Sequence, residues 1–329
     1  MSTSMGELSV SPAVSVILPV LNEEAHLEES ILAILSQDYQ GEFEVILALG
    51  PSQDRTDEIA KNLSTKDARV KLVANPTGKT AAALNLAVAS SKHPVIVRVD
   101  GHAQIPNNYL SLAVEILRST GAVNVGGVMA AEGVSAFEKA VARAMRSPLG
   151  VGASRFHTGG EAGEVDTVYL GAFRREAITA AGGFDERYTR AQDWELNYRL
   201  RKNNGVIWFD PRLQVTYRPR STFKKLARQY FQYGRWRRVI SRQHKNTVNF
   251  RYLAPPVAVI INLLSVFFTF TINPIFITPF LIYLSTLIVG SLFIGRKVVD
   301  KLLMPFVLAT MHFSWGIGFI TSPKKLFKN

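Results

Sequence analysis

The sequence predicts a Rossmann-like α/β domain followed by a basic amphipathic helix and C-terminal membrane helices. From residue 14, short apolar runs rich in β-branched residues alternate with segments of helical periodicity. Residues 211–299 contain 14 Lys and Arg but no Asp or Glu. Three apolar runs, each near the length of a bilayer crossing, close the chain. An α/β domain and a membrane part are therefore expected in that order.

Composition restricts the kinds of site that the chain can build. A chain of 329 residues can hold one large domain plus membrane segments. Because it contains no cysteine, disulfides, cysteine-ligated zinc and thiol catalysis are excluded. Removing the 14 cations of residues 211–299 from the 38 Lys and Arg leaves 24 against 26 Asp and Glu, so the net charge of +12 is local. A basic segment leading into apolar runs indicates anionic membrane lipids as partners, and no nucleic acid.

Residues 1–13 lack the pattern of a signal peptide. Residues 1–13 are small and polar, without a charged segment followed by an apolar one. We expect a disordered tail, no signal peptide, and a cytoplasmic α/β domain over residues 14–217.

Four strand–helix units open that domain. The predicted strands are VSVILPV, FEVILAL, VKLVANP and VIVRVD, and a helical pattern follows each. Near-continuous apolar strands separated by helices are typical of a parallel sheet buried on both faces. In such sheets ligands bind beyond the carboxyl ends of the strands, so the loops that follow the strands are the candidate site.

These loops are polar, and each alone is a weak signal because Pro, Asn and Gly are the usual residues of turns. The four loops read PVLNEE, GPSQDRT, NPTGK and DGH. Gly78, Lys79 and Thr80 resemble part of a phosphate-binding loop, but Val73 stands where that motif needs glycine, which excludes it.

Asp100 and His102 end the fourth strand, on either side of Gly101. In a tight turn their side chains can reach one divalent ion, either Mg²⁺ or Mn²⁺, with the imidazole favouring Mn²⁺. The alternative is a strand-end aspartate that only caps the turn.

Residues 122–183 are less regular. We predict a strand at VNVGGVMAA, a helix at VSAFEKAVARAMRS, a Gly-rich loop at GASRFHTGGEAGEVD and a strand at VYLGAF. The acidic pair Asp193 and Glu195 follows within TRAQDWELNYRLR, and VIWFDP and QVTYRP are predicted as closing strands.

Six motifs together resemble a known family. In order they are VSVILPVLNEE, SQDRT, NPTGKTAAALN, VDGH, GGFDE and QDWELNYRLR. Over about residues 14–201 they are similar to the inverting nucleotide-sugar glycosyltransferases of family two, which have the GT-A fold. The Asp-x-His motif resembles that of the membrane-associated succinoglycan-type glucosyltransferases.

The resemblance implies a role for each matching residue. Asp193 would be the general base, and Lys79 would approach the donor diphosphate. Asp100 and His102 would hold the metal and the diphosphate, and the nucleotide would lie at Pro19, Asn22 and Glu23. The acids that the family usually has after the second strand are absent from Leu49-Gly50-Pro51-Ser52, so Asp54 is expected to take over part of their role. Glu195 is expected to pair with Arg199 four residues later and not to act in catalysis.

Residues 218–253 form the predicted basic interface segment. Phe223, Leu226, Tyr230, Tyr233 and Ile240 recur at helical spacing with cations between them, a pattern typical of a helix lying in a membrane interface. The same helix contains a Gln-x-x-Arg-Trp motif, which resembles that of membrane polysaccharide synthases. The resemblance places its residues at the acceptor: Gln232, Arg235 and Trp236.

Residues 254–322 are the predicted membrane domain, before a tail at 323–329. Its apolar runs are residues 254–273, 275–294 and 302–320, each near the ~20 residues that cross a bilayer. Arg296, Lys297 and Lys301 mark the second connection as cytoplasmic. A third full crossing would place the C-terminal lysines outside, so the third run is a crossing, a re-entrant segment or an interfacial segment.

These observations predict a multi-pass cell-membrane protein. With the resemblance they predict a metal-dependent inverting glycosyltransferase using Mn²⁺ or Mg²⁺. It would move a sugar from a nucleotide-sugar, a UDP-sugar in the first instance, to a lipid-linked saccharide in surface polysaccharide or glycolipid synthesis. The alternatives are a processive polysaccharide synthase, a polyprenyl-phosphate sugar synthase and a non-catalytic membrane-anchored nucleotide-binding module.

Overall fold

The computed structural model describes residues 6–327 and divides them into two compact units. The first unit contains the chain up to Ala130 together with Gly159–Tyr217. The second contains Ala131–Thr158 and the chain from Arg218 onward. Residues 131–158 thus belong with the C-terminal helices, although they were predicted within the α/β domain.

In the described part of the first unit, eight strands form one sheet. They are β1 Val14–Val20, β2 Phe43–Leu49, β3 Val70–Ala74, β4 Val95–Arg98, β5 Asn124–Ala131, β6 Gly163–Glu164, β7 Tyr169–Arg174 and β8 Ile207–Tyr217. Their order is β3-β2-β1-β4-β7-β5-β8-β6. The first four strands are parallel, whereas β7 runs antiparallel to both β4 and β5.

The helices follow the strands as the periodicity predicts. They are α1 Leu27–Leu35, α2 Thr56–Lys66, α3 Thr80–Ser90, α4 Tyr109–Thr120, α5 Ala136–Met145, α6 Pro148–Val151, α7 Arg155–Thr158, α8 Arg175–Ala180, α9 Gln192–Lys202, α10 Phe223–Gln243, α11 Phe250–Thr271, α12 Thr278–Ile294 and α13 Val298–Ile320. Helices α1–α4, α8 and α9 lie in the first unit, and the others lie in the second.

The sheet is buried on both faces, as its near-continuous apolar strands predict. Along β1, Val16 and Leu18 belong to a core that also includes residues of α1 and α4. Ile17 between them is equally buried on the opposite face, because side chains alternate along a strand. Helix α3 packs against β1 and β2. The predicted α/β class is confirmed, and the sheet is mixed: the predicted parallel pairing holds for β1–β4, whereas β4–β7, β5–β7 and β6–β8 pair antiparallel.

The prediction of two closing strands differs from the structure. VIWFDP and QVTYRP form one strand, β8, instead of two. Its neighbour β6 pairs only with Trp208 and Phe209, so the missing amide hydrogen of Pro211 lies beyond that pairing.

The predicted N-terminal tail is partly ordered. Residues 1–5 lie outside the described residues, but residues 6–13 lie against the first unit. Arg174 donates to the Gly6 carbonyl at 2.8 Å and Arg118 to the Leu8 carbonyl at 3.3 Å.

In the second unit, residues 131–158 pack on the C-terminal helices. Arg143 of α5 forms an ion pair with the buried Asp300 of α13, and His312 donates from Nε2 to the Leu149 carbonyl at 2.8 Å. These long-range contacts explain why this segment groups with residues that follow it by 150 positions or more.

Helix α10 also packs on α13. Leu226, Tyr230 and Ile240 are buried within the second unit, while Phe223 and Tyr233 remain exposed. Three of the five apolar residues at helical spacing therefore face protein instead of the membrane interface that their spacing predicted. A period of 3.6 residues identifies an apolar face without specifying whether lipid or protein covers it.

Among the described residues, three helical spans are long and apolar enough to cross a membrane. They are Phe250–Thr271, Pro274–Ile294 and Val298–Ile320. The third is a continuous helix, and 39% of its apolar window is buried inside the protein, against 22% and 11% for the others. It is therefore the span most covered by its neighbours.

Candidate active site

The site lies at the carboxyl edge of the parallel strands. Because β1, β2, β3 and β4 run in the same direction, the loops that follow them emerge at one edge of the sheet. The sequence predicts a site in these loops, and the structure shows how they are joined.

The loop after β1 is tied to the loop after β2 through Asn22. Asn22 has a left-handed backbone (φ 55°), its amide donates to Ser52 Oγ at 3.1 Å, and its Oδ1 accepts from the Gln53 amide at 2.8 Å. Pro19 lies near the end of β1, beyond Ile17, the last residue of β1 that pairs with β4. Its missing amide hydrogen therefore falls where β4 has separated from β1.

Asp54 forms a second tie between these loops. Its Oδ1 accepts from the Thr56 amide at 3.1 Å and the Thr56 hydroxyl at 2.5 Å, and its Oδ2 accepts from the Glu24 amide at 3.2 Å. The hydrogen bond from the Thr56 hydroxyl is the main reason that the pKa of Asp54 is lowered. Asp54 thus holds the loops together and stays ionised there.

Glu23 connects the loop after β1 to the predicted metal-binding residues. Its amide donates to Thr56 Oγ1 at 2.7 Å, and its Oε1 lies 2.8 Å from Nδ1 of His102. A Cβ atom at Gly101 would lie 3.2 Å from Glu23 Cγ, so the glycine permits this close approach. The structure therefore brings Glu23, predicted at the nucleotide, against His102.

Arg98 is the residue that sequence reasoning missed. It is the last residue of β4, and only 4% of it is exposed. Its Nη2 and Nε donate to Asp100 Oδ1 at 2.9 and 3.3 Å, and its Nη1 donates to Asp193 Oδ1. A lone cation in an otherwise apolar strand was the available signal, since a buried guanidinium requires a counter-charge.

Asp193 reaches this edge from the first turn of α9. The preceding helix cap, Ala191, has a left-handed backbone (φ 63°), unusual for a residue other than glycine. Burial raises the pKa of Asp193, the Arg98 charge opposes that effect, and the Asp100 charge adds to it, so the pKa stays above its ordinary value. A carboxylate with a raised pKa is better suited to accept a proton.

Helix α9 is held in place by polar contacts of residues that follow Asp193. Glu195 is buried and pairs with Arg199 at 2.7 Å, and Arg199 donates to the Gly183 carbonyl at 2.7 Å. Asn197 accepts from the buried Asn124 at 2.7 Å. The predicted structural pairing of Glu195 with Arg199 is confirmed.

Lys79 lies at the start of α3, in the loop after β3, and is exposed. Its amide donates to Thr77 Oγ1 at 3.1 Å, and the preceding Gly78 has a left-handed backbone (φ 64°). A Cβ atom at Gly78 would lie 3.3 Å from Pro51 Cδ. The loop after β3 thus lies beside the loop after β2.

The Asp100 and His102 side chains fit a metal ion whose remaining ligands come from the substrate phosphates. Within residues 6–327, no group of three or more His, Asp or Glu side chains is arranged to hold a metal. Asp100 and His102 are the two candidate ligands, and Mg²⁺ and Mn²⁺ commonly take one or two protein ligands plus substrate phosphates. The contact of His102 Nδ1 with Glu23 is typical of a metal-binding histidine, which uses its other ring nitrogen for the metal.

The predicted acceptor residues lie on α10, in the second unit. Trp236 is 3% exposed, and the Arg235 guanidinium lies 5.5 Å from the centre of the Phe231 ring. Gln232 is half-buried on the same helix. These three residues therefore form part of the packing of the second unit.

Known proteins resemble the chain at three levels. A family model described as Glycosyl transferase family 2 matches residues 15–181, which ends before Asp193. The succinoglycan biosynthesis protein ExoA of Rhizobium meliloti (strain 1021) is 36% identical over 242 residues, 73% of either chain. The dolichyl N-acetyl-alpha-D-glucosaminyl phosphate 3-beta-D-2,3-diacetamido-2,3-dideoxy-beta-D-glucuronosyltransferase of Methanococcus voltae is 26% identical over 321 residues, 93% of this chain and 95% of that protein.

One solved structure shares the fold over nearly the whole length. It is a mannosyltransferase from Pyrobaculum calidifontis in complex with GDP-Man and Mn²⁺, with a TM-score of 0.58 and 17% identity. The match covers 98% of this chain and 89% of that one. At this identity the likeness concerns the fold alone.

Proposed function

The chain belongs to glycosyl transferase family 2, and from that membership we propose that it adds one sugar from a nucleotide-sugar to a lipid-linked saccharide. Its matched relatives are glycosyltransferases and a polysaccharide biosynthesis protein, and inversion at the anomeric carbon is a property of the family. The observation that carries the proposal is the edge where Arg98 joins Asp193 to Asp100.

Asp193 is the proposed general base. A carboxylate within about 3 Å of the acceptor hydroxyl can take its proton as that oxygen attacks the anomeric carbon. The new bond joins the acceptor oxygen to the anomeric carbon, and the bond from that carbon to the phosphate oxygen breaks. The nucleoside diphosphate leaves with the bonding electrons, and attack from the opposite face inverts the configuration.

Asp100 and His102 are the proposed ligands of the divalent ion, Mn²⁺ or Mg²⁺, with Glu23 orienting the His102 ring. When bound, the ion offsets the negative charge that develops on the departing diphosphate. Both contacts from Arg98 go to Oδ1 of Asp100, so Oδ2 is the oxygen proposed to face the ion. Lys79 is the proposed second cation near the diphosphate.

The nucleotide is proposed to lie along the joined loops after β1 and β2, at Pro19, Asn22, Glu23 and Asp54. Support comes from the hydrogen bonds that fix these loops against each other. The donor base is proposed to be uracil, although the Pyrobaculum neighbour holds GDP-Man and Mn²⁺. The identity of the donor nucleotide is therefore tested directly, by comparing UDP-sugars with GDP-mannose.

The acceptor is proposed to be lipid-linked, at the cytoplasmic face of the cell membrane. Three spans long enough to cross a bilayer support this, as does the Methanococcus relative, whose name specifies a dolichyl-linked glucosaminyl phosphate. The exposed cations of residues 211–299, such as Lys224, Lys225 and Arg228, are proposed to contact anionic lipids. The residues Gln232, Arg235 and Trp236 are proposed to act on the acceptor side.

A donor screen tests the function. Membranes containing the full chain are given radiolabelled UDP-sugars and GDP-mannose with a defined pool of lipid-linked saccharides, and the size of the labelled product is measured. We expect one sugar added to the lipid-linked saccharide, Mn²⁺ or Mg²⁺ dependence, and loss of transfer with retained donor binding in Asp193→Asn. That loss should be about 10²- to 10⁴-fold.

The same assay separates the alternatives. A polymer would support a processive synthase, which the Gln-x-x-Arg-Trp motif favours, and a sugar phosphate on bare lipid would support a polyprenyl-phosphate sugar synthase. Donor binding without transfer to any acceptor would support a non-catalytic nucleotide-binding module. Normal turnover in Asp193→Asn would remove this residue from the base role.

A further inference from the structure

We propose that Arg98 is a positioning residue for the transfer reaction, because it fixes the Asp193 carboxylate relative to Asp100. The inference rests on the proposed function, in which these two acids serve the acceptor and the donor diphosphate. In this role the Arg98 side chain, which lies in the sheet, sets the distance between the base Asp193 and the departing diphosphate.

The geometry of the guanidinium is the first support. Its Nε and Nη2 both donate to a single oxygen of Asp100, while its Nη1 donates to Asp193. The two acids lie on different elements, 93 residues apart in sequence. A planar group with five fixed donors holds both carboxylates in one orientation, which a lysine ammonium cannot do.

Burial is the second support. The Arg98 side chain is 5% exposed, whereas those of Asp100 and Asp193 are 21% and 29% exposed. The arginine therefore anchors the pair from within the protein, and each acid retains an accessible part for substrate. A buried guanidinium is fixed by its surroundings, and removing one partner leaves an uncompensated charge.

The backbone of Asp193 is secured by other residues. Arg199 holds α9 to the Gly183 carbonyl, and Asn197 pairs with Asn124. These contacts place the helix but do not determine the rotamer of the Asp193 side chain. Arg98 acts on the carboxylate itself, so in a variant that still folds its removal should release the base.

Arg174 provides a matched control. It is also a buried arginine in the sheet, 6% exposed, but it donates only to the carbonyls of Ala122, Gly6 and Leu117 in the described contacts. Loss of Arg174 removes a buried cation without touching either acid. A purely structural effect of losing a buried arginine should therefore appear equally in Arg174→Met.

The test compares Arg98→Met, Arg98→Lys and Arg174→Met in the full chain in detergent, each at a temperature where the variant is folded. We expect kcat to fall by about 10²-fold in Arg98→Met, the order of loss that misplacing a catalytic group by 1 Å can cause. The KM for acceptor should change little, Arg98→Lys should recover part of kcat, and Arg174→Met should retain the wild-type kcat. An equal kcat in all folded variants would overturn the proposal.

A thermal-unfolding cycle keeps the test separate from the proposed function. Arg98→Met, Asp193→Asn and the double variant are melted in parallel. Coupled residues should give a double variant that melts near the less stable single variant, whereas additive shifts would overturn the pairing. If the wild type transfers no sugar but the shifts are coupled, the proposed function fails while the Arg98–Asp193 pairing stands.

Discussion

Oε1 of Glu23 lies 2.8 Å from Nδ1 of His102, which joins the loop after the first strand to the loop after the fourth. The Glu23 side chain is 19% exposed and that of His102 is 37% exposed, so both side chains are partly accessible to solvent. A carboxylate in this position fixes both the ring orientation and the tautomer of a histidine. The ability of His102 to bind a metal should therefore depend on Glu23.

Glu23→Gln should weaken metal binding without abolishing it. Loss of a partner that orients a metal-binding histidine typically lowers metal affinity about 10- to 100-fold. The Mn²⁺ concentration for half-maximal transfer should rise by that factor, while the rate at saturating Mn²⁺ should fall less. A titration of transfer activity with Mn²⁺ measures both quantities.

Glu24→Gln is the matched control for this prediction. Glu24 is the neighbouring acid, but its Oε2 accepts from the Arg55 amide instead of contacting His102. Its substitution should leave the Mn²⁺ titration unchanged. Equal shifts in the two variants would contradict an orienting role for Glu23.

The pH dependence of turnover should report the environment of Asp193. The base must be ionised, so kcat should fall as the pH drops through its pKa, and burial places that pKa above the ~3.9 of an ordinary aspartate. Because the Arg98 charge lowers this pKa, the acidic limb should move to higher pH in Arg98→Met. The measurement is the pH profile of kcat at saturating substrates, with Arg174→Met expected to match the wild type. An acidic limb that does not move would contradict control of Asp193 by Arg98.

Apolar runs and their spacing predicted most of the first unit. Strands β1 to β4 are continuous apolar stretches, so their burial, their parallel pairing and the common edge of their loops follow from the pattern. Asp100, His102 and Asp193 were singled out because polar residues at the ends of such strands, or in matching motifs, are candidates for binding and catalysis. The Glu195–Arg199 pair follows from helical spacing.

What the sequence could not predict are contacts between distant positions. Arg98 and Asp193 are 95 residues apart, and no local pattern shows that the end of β4 faces the start of α9. The pairing of Arg143 with Asp300, which draws residues 131–158 into the second unit, has the same character. Helix α10 shows a different limit, because its periodicity is the same whether lipid or α13 covers its apolar face.

Glu44 should stabilise the protein at neutral pH. It is buried, and although burial opposes its ionisation, hydrogen bonds from Lys71, Ser15 and the Lys92 amide lower its pKa to about 2. A lowered pKa contributes stability above the unfolded value of about 4.3, and that contribution is lost as the pH falls towards 2. Glu44→Gln should cost roughly 2 kcal/mol at pH 7, allowing for the half-exposed Lys71.

Thermal unfolding of the full chain in detergent, measured at pH 7 and at steps down to pH 3, tests this prediction. The melting temperature of Glu44→Gln should be lower at pH 7 and should approach that of the wild type as the pH falls. Glu42→Gln is the control, because that side chain is 79% exposed. A constant difference between Glu44→Gln and the wild type at every pH would show that the effect does not come from ionisation.

Two glycines should determine the packing of the second unit. A Cβ atom at Gly318 of α13 would lie 2.1 Å from the Phe231 carbonyl oxygen of α10, and one at Gly234 would lie 2.0 Å from the Trp315 carbonyl oxygen. Since backbone atoms cannot rotate away as a side chain can, Gly318→Ala should force the two helices apart. Overpacking of this kind costs about 1–3 kcal/mol or more, so the melting temperature in detergent and the yield of monodisperse protein should both fall. Gly290→Ala on α12 is the control, because its Cβ would meet only the Leu149 side chain, with Cδ2 at 2.5 Å and Cγ at 3.9 Å, and that side chain can move. Equal melting temperatures for the two variants would show that α10 and α13 are not packed backbone to backbone at Gly318.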